Sequence, residues 1–405
     1  MSSTFSMTLV QSASPTDCNL AFQINSTLPS PAHLVSNKNG EQGSQSQHLC
    51  DMWRDIQGAH NWNGLLDPMD PILKSEVLRY GNMAKVCYDA FDGESSSKHY
   101  GECKYSKTSL FDKMGMSECG YRATKYIYAN TNVLAAPFVE KAKDRAVWLG
   151  FIAVCESEKE IRRLGRRDIV VAWRGTQTTQ EWIQDLRDFL IPARLSYKCE
   201  RTSKDHGAAI AIANDGVRIE TGFLSCYTSI ISHEDSKGKS VNKSARGLVN
   251  AEIRRLLNVY KNEIDNLSIT FTGHSLGAAL TTLSAYDTKN ILKANCYNNI
   301  PVTVFSFASP RVGNLSFAKK VEDIGLKVMR LVNKGDVVPK VPGVFMNEKM
   351  GFLSRWLSWL PWTYFHVGVE VSLGNNSSSH QKSVAYYHHL EVYLRLLAGC
   401  KEDNN

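Results

Sequence analysis

"LSITFTGHSLGAAL", residues 267–280, decides the fold of this 405-residue chain. Leu267, Ile269 and Phe271 alternate with Ser268, Thr270 and Thr272, the period of two that marks a strand. Beyond Ser275 the apolar positions Leu276, Leu280 and Leu283 recur at helical spacing. A strand running straight into a helix puts Ser275 on a sharp corner, and Gly273-His274-Ser275-Leu276-Gly277 fits the G-x-S-x-G pattern of such corners. The glycines have a steric reason: so tight a turn pushes the serine backbone toward strain, and side chains at either flank would collide across it.

Outward from this corner, strand-like runs recur at Trp148 to Cys155, Asp168 to Trp173, Val302 to Phe307, Lys327 to Val332 and Tyr364 to Val371. Helical segments lie between several of them, the clearest with Val249, Ile253, Leu256, Leu257, Tyr260 and Ile264 on one face. Strands alternating with helices predict an α/β fold whose mostly parallel central sheet is flanked by helices. Residues 199–218 and 233–246 are polar and read as loops. The stretch 53–91 mixes aromatic and apolar residues at helical spacing and reads as a helical region packed on the main domain. The expected organisation is a disordered segment at 1–50, one domain at 51–400 with a helical extension over 51–145 and a core over 146–400, and a tail at 401–405.

Composition narrows the class. With 43% hydrophobic residues the chain can bury a large core. Its 10 cysteines lack any C-x-x-C pair, so neither a zinc site nor a disulfide framework is signalled, and no metal or cofactor is expected. The net charge of +7 is mild and nothing resembles a nucleic-acid module. The densest basic run, Arg162-Arg163-Leu164-Gly165-Arg166-Arg167, reads as a solvated connector or as a patch attracted to anionic lipid. No run of about 18 apolar residues predicts a spanning helix. Residues 1–50, rich in Ser, Thr, Asn and Gln, have Lys38 as their sole Lys or Arg; they suggest a plastid transit peptide or a plain disordered tail.

A serine hydroxyl is a poor nucleophile until a base takes its proton. On a fold of this kind the partners follow in the order Ser, acid, His. Asp336, in "LVNKGDVVPKVP", lies just past a predicted strand, where such sheets present functional groups. Three downstream histidines compete for the base: His366 inside a strand-like run, and His388 and His389, which precede a short amphipathic helix and sit where an imidazole is freer to swing. His274, inside the corner, reads as a local hydrogen-bonding neighbour. For a tetrahedral oxyanion, the backbone N–H of Leu276 supplies one donor, and Thr176, after the turn Arg174-Gly175, offers the second. The segment 350–365 gathers Trp356, Trp359 and Trp362 in a short apolar stretch suited to a membrane interface.

These residues belong to a wider resemblance. From about Trp53 to Cys400 the chain resembles the class 3 lipases of the α/β-hydrolase superfamily, and among them the plastid-type plant phospholipases A1. The motifs that carry it are "WNGLLDPMDP", "RYGNMAKVCYDAFD", "GYRATKYIYA", "IRRLGRRDIVVAWRGT", "GHSLGAAL", "PRVGN", "LVNKGDVVPKVPG" and "HHLEVYL". The resemblance implies Ser275 as nucleophile, Asp336 as acid, His388 as base and Thr176 as the oxyanion residue, with a lid over Thr178 to Leu190 that carries Trp182 and Ile183. Two departures stand out, His389 where the family usually has Asp and Ala278 where Gly is common. The implied activity is hydrolysis of the sn-1 acyl ester of glycerolipids at a membrane interface, phospholipids first, galactolipids and triacylglycerols besides. An acyltransferase with the same triad and a non-catalytic lipase-like scaffold are the rival readings. A chloroplast location is expected, with the cytoplasm as alternative; oligomeric state stays open.

Overall fold

The computed structural model describes residues 41–130, 146–176, 190–193, 195, 197–198, 209–210, 216–234, 240–343, 363–374 and 383–399. Its centre is a seven-stranded sheet formed by β1 (Tyr121–Asn130), β2 (Ala146–Cys155), β3 (Arg167–Trp173), β4 (Leu267–His274), β5 (Val302–Phe307), β6 (Lys327–Asn333) and β7 (Val369–Leu373). The strands lie side by side in chain order. β1, β2 and β3 pair antiparallel, and β3 through β7 pair parallel. The mostly parallel sheet expected from the strand–helix alternation is therefore present.

Helices cover both faces. The main ones are α1 (Glu41–Ile56), α2 (Pro71–Asp89), α3 (Ala245–Val259), α4 (Leu276–Ala294), α5 (Val384–His388) and α6 (Leu390–Ala398). One core layer joins Leu267, Ile269 and Phe271 of β4 to Val249, Ile253 and Leu256 of α3 and to Leu276, Leu280 and Leu283 of α4. The other joins Phe305, Phe307, Met329 and Leu331 to Leu73, Val77, Tyr80 and Met83 of α2 and to Leu390, Leu394 and Leu397 of α6. Both faces of the inner strands are thus out of water, as parallel sheets require. The polar half of the β4 alternation is buried too. Thr272 Oγ1 donates to the Tyr80 carbonyl at 3.0 Å, while Ser268 and Thr270 donate to Asp168 at 2.6 and 2.8 Å.

Several expectations need correction. α1 begins at Glu41, so the boundary drawn at residue 51 falls inside a helix whose Leu49, Trp53 and Ile56 are buried. The stretch 51–145 holds a full strand, β1, beside its helices. Its Tyr121, Ala123 and Ile127 are buried. Within the polar stretch 233–246, Ser240–Lys243 pairs with Ile231–Glu234 as a two-stranded ribbon and α3 starts at Ala245, because main-chain pairing needs no apolar side chains. The basic run points largely inward. Arg163 pairs with Glu76 and Glu160 at 2.9 Å, Arg167 with Glu263 at 2.7 Å, and Arg166, 1% exposed, donates to Ser268 Oγ at 2.8 Å and Tyr80 Oη at 2.9 Å. These arginines are structural ties rather than a solvated connector or a lipid-facing patch.

Candidate active site

β4 delivers Ser275 to its corner in the left-handed region, with φ 61° and ψ −127°. The two glycines make the corner possible. A Cβ on Gly273 would lie 2.6 Å from the Gly277 carbonyl oxygen, and one on Gly277 would lie 2.5 Å from the Trp173 carbonyl oxygen. Both contacts are with main chain, which cannot swing aside. The Ser275 N–H donates to the Phe307 carbonyl of β5 at 3.0 Å, and the Ser275 carbonyl accepts from Ala278 and Ala279, starting α4. Ala278, the departure from Gly, is fully buried without disturbing this start.

His388 Nε2 lies 2.8 Å from Ser275 Oγ, and His388 Nδ1 lies 2.7 Å from Asp336 Oδ2. All three side chains are enclosed, with residue exposures of 2% for Ser275, 1% for His388 and 0% for Asp336. Asp336 sits in the turn after β6. Its Oδ1 accepts from the Val338 N–H at 2.9 Å, and its Oδ2 also accepts from the Tyr393 hydroxyl at 2.6 Å. Burial and the neighbouring Asp336 charge push the Tyr393 phenol well above its usual range, so it stays a donor. Residue reading did not single out Tyr393, whose only sequence signal is its apolar-face position in the last helix.

His388 does not ride on a loop, as its position in the sequence suggested. It is the last residue of the one-turn helix α5, and His389 is the junction that caps α6, its Nδ1 accepting from the Glu391 N–H at 3.4 Å. His389 is exposed, and of the adjacent pair it is His388 that hydrogen-bonds Ser275. Asn333 Nδ2 donates to the Tyr387 carbonyl at 2.9 Å and holds the segment from the β6 side. His366 is elsewhere: it hydrogen-bonds the Pro339 backbone, and burial with the nearby Arg330 and Arg311 charges keeps its pKa well below the usual value.

The turn after β3 passes close to the corner. A Cβ on Gly175 would lie 3.2 Å from Ser275 Cβ. Thr176, next in the chain, has a buried Oγ1 with no hydrogen-bond partner. A buried hydroxyl left unpaired costs free energy, which makes it a poor space-filler and a ready donor. Leu276 is the first residue of α4, so its N–H has no acceptor within the helix. Trp182, Ile183, Trp356 and Trp359 lie outside the described residues. No group of three or more His, Cys, Asp or Glu side chains able to hold a metal occurs among the described residues, and no described helix is long and apolar enough to cross a membrane.

The chain is similar to known proteins over most of its length. The family described as Lipase (class 3) matches residues 170–346. The chain is 42% identical to Phospholipase A1-Igamma2, chloroplastic, of Arabidopsis thaliana over 88% of its own length and 66% of the relative's. It is 41% identical to Phospholipase A1-Igamma1, chloroplastic, covering 91% and 71%, and 40% identical to Galactolipase DONGLE, chloroplastic, covering 86% and 70%, both from the same plant. Among solved structures, the Rhizomucor miehei lipase propeptide complex aligns with a TM-score of 0.46 at 18% identity, over 75% of this chain and 68% of that one. Identity above 40% sustained across most of both sequences, with the serine corner inside the matched region, means that this chain belongs to the class 3 lipase family.

Proposed function

We propose that this chain is a serine acyl hydrolase that cleaves the sn-1 acyl ester of membrane glycerolipids, phospholipids and galactolipids among them, in the plastid. The relatives named phospholipase A1 and galactolipase, with chloroplastic in their names, support the substrate class and the location. The observation that carries the chemistry is the single hydrogen-bonded line from Ser275 Oγ through His388 to Asp336, at 2.8 and 2.7 Å, ending on a strained backbone corner.

In this reading His388 Nδ1–H donates to Asp336, which leaves the Nε2 lone pair facing the Ser275 hydroxyl. His388 takes the Oγ proton as Ser275 attacks the ester carbonyl, and the imidazolium then protonates the departing lyso-lipid alcohol. Leu276 N–H and Thr176 stabilise the oxyanion. Water, deprotonated by the same imidazole, cleaves the acyl-enzyme and frees the fatty acid. Asp336 fixes the tautomer and balances the transient charge, helped by the second donor, Tyr393.

Incubation with defined phosphatidylcholine and monogalactosyldiacylglycerol, followed by identification of the released chain, tests the reading. Ser275→Ala is expected to lower turnover by about a millionfold. Near-normal lipid hydrolysis by that variant would exclude the mechanism.

A further inference from the structure

We infer that Tyr88 and His274 are positioning residues that tie the oxyanion loop and the catalytic base to the serine corner through one hydrogen-bonded chain. The inference rests on the reading of Ser275, His388 and Asp336 as a triad, and goes beyond it by giving work to two side chains outside the triad.

Each bond in the chain has a fixed direction. His274 Nε2 lies 2.7 Å from the His388 carbonyl oxygen, which can only accept, so Nε2 carries the hydrogen. His274 is buried, and burial together with the adjacent His388 holds its pKa well below the usual value. The ring is therefore neutral and its Nδ1 is an acceptor. Tyr88 Oη, 2.8 Å from Nδ1, donates to it, the His274 carbonyl being a longer alternative acceptor at 3.4 Å. The lone pairs left on that hydroxyl accept the Gly175 N–H at 3.0 Å. The order runs from Gly175 N–H to Tyr88 Oη, from Tyr88 O–H to His274 Nδ1, and from His274 Nε2–H to His388 O.

The place of the chain matters as much as its direction. Gly175 immediately precedes Thr176, and a Cβ at Gly175 would sit 2.2 Å from the Tyr88 hydroxyl. The tyrosine tip thus sits against the loop beside the serine corner. At the other end the carbonyl held by His274 belongs to the residue whose ring must gain and lose a proton. The two imidazole rings are 4.7 Å apart between centroids, so a neutral His274 spares the His388 cation a like-charge neighbour. Misplacement of a reacting group by about 1 Å costs about 100-fold in rate.

The test uses the full chain, a soluble short-chain ester such as p-nitrophenyl butyrate, and a fluorophosphonate probe to count active sites. Tyr88→Phe keeps the ring and deletes only the hydroxyl; His274→Gln keeps an N–H toward the His388 carbonyl; His274→Ala removes both ends. Expected are losses in kcat per titrated site of about 10- to 100-fold for Tyr88→Phe and His274→Ala, with KM within about twofold and partial recovery in His274→Gln. Adding Tyr88→Phe to His274→Ala is expected to cost little more, since both break one chain. A kcat per titrated site within about twofold of wild type in Tyr88→Phe, or a loss confined to the titratable fraction or the melting temperature, overturns the inference. Should His274→Ala fail to fold, Tyr88→Phe alone decides. Ser275→Ala is run in parallel: if it stays active the triad reading falls, and if it is dead while Tyr88→Phe is unimpaired only the positioning role falls.

Discussion

The two ends of the parallel strands each bury an aspartate, and they use it in opposite ways. At the amino end, Asp168 accepts four hydroxyls, from Tyr80, Tyr121, Ser268 and Thr270, at 2.6 to 2.9 Å. Arg166 lies alongside on Tyr80 and Ser268, and Glu76 is flanked by Arg79 and Arg163. At the carboxyl end, Asp336 is just as buried and also accepts a tyrosine hydroxyl, but its other partner is an imidazole that passes the connection on to a strained serine. The Asp168 carboxylate spends its oxygens on structural hydroxyls alone. The other line ends on the Ser275 hydroxyl, near a Thr176 hydroxyl that has no hydrogen-bond partner. Buried charge is common to both ends; strain and unused donors occur together at the carboxyl end.

That contrast breaks if the amino end proves to matter for turnover or the carboxyl end for stability. The largest stability effect is expected from Asp168→Ala, which strands four hydroxyls and the buried Arg166. It should cost about 3–5 kcal/mol in urea unfolding while leaving kcat per folded molecule unchanged. Thr176→Val reverses the pattern, slowing ester hydrolysis by about 100- to 1000-fold with the urea midpoint unchanged, because its hydroxyl has no partner to lose. Acid titration sharpens the amino-end half. Burial works against ionisation of Glu76, but the Arg79, Arg163 and Arg166 charges outweigh it and bring its pKa down from 4.5 to about 2. A carboxylate with a depressed folded pKa adds stability that is present above its unfolded pKa and lost as pH falls through the folded one. The stability gap between wild type and Glu76→Gln should therefore shrink by about 3 kcal/mol between pH 5 and pH 2, read by thermal unfolding. The smallest effect has the opposite sign. Ser275→Gly relieves the positive φ and is expected to raise stability by about 1 kcal/mol while abolishing hydrolysis, measured by calorimetry and lipid assay on the same sample.

Much of the parallel half of this sheet was legible because its signals are local. The β4 alternation, the Gly-x-Ser-x-Gly corner and an aspartate just past β6 are each read within about ten residues. The partner of Ser275 was legible only in part: position favoured His388 and His389 over His366, and the family resemblance chose within the pair. What separates them is tertiary: His388 meets Ser275 across 113 residues of chain. Tyr88 and His274 are 186 residues apart, and nothing at either position announces the other. The arginine run misled for a similar reason. Its partners, Glu76 and Glu263, lie far off in sequence, so a run that turns inward looked like one that faces solvent.

α6 packs Leu394 so tightly on α2 that a Cβ at Gly81 would come within 2.4 Å of it, and this seating fixes the segment that ends in His388. A ribosome therefore makes Ser275 long before His388, to which it hydrogen-bonds in the finished fold. Over those 113 residues the serine hydroxyl lacks the imidazole that it bonds in the finished fold. Under the proposed mechanism, the site is therefore complete only once this late helix has docked.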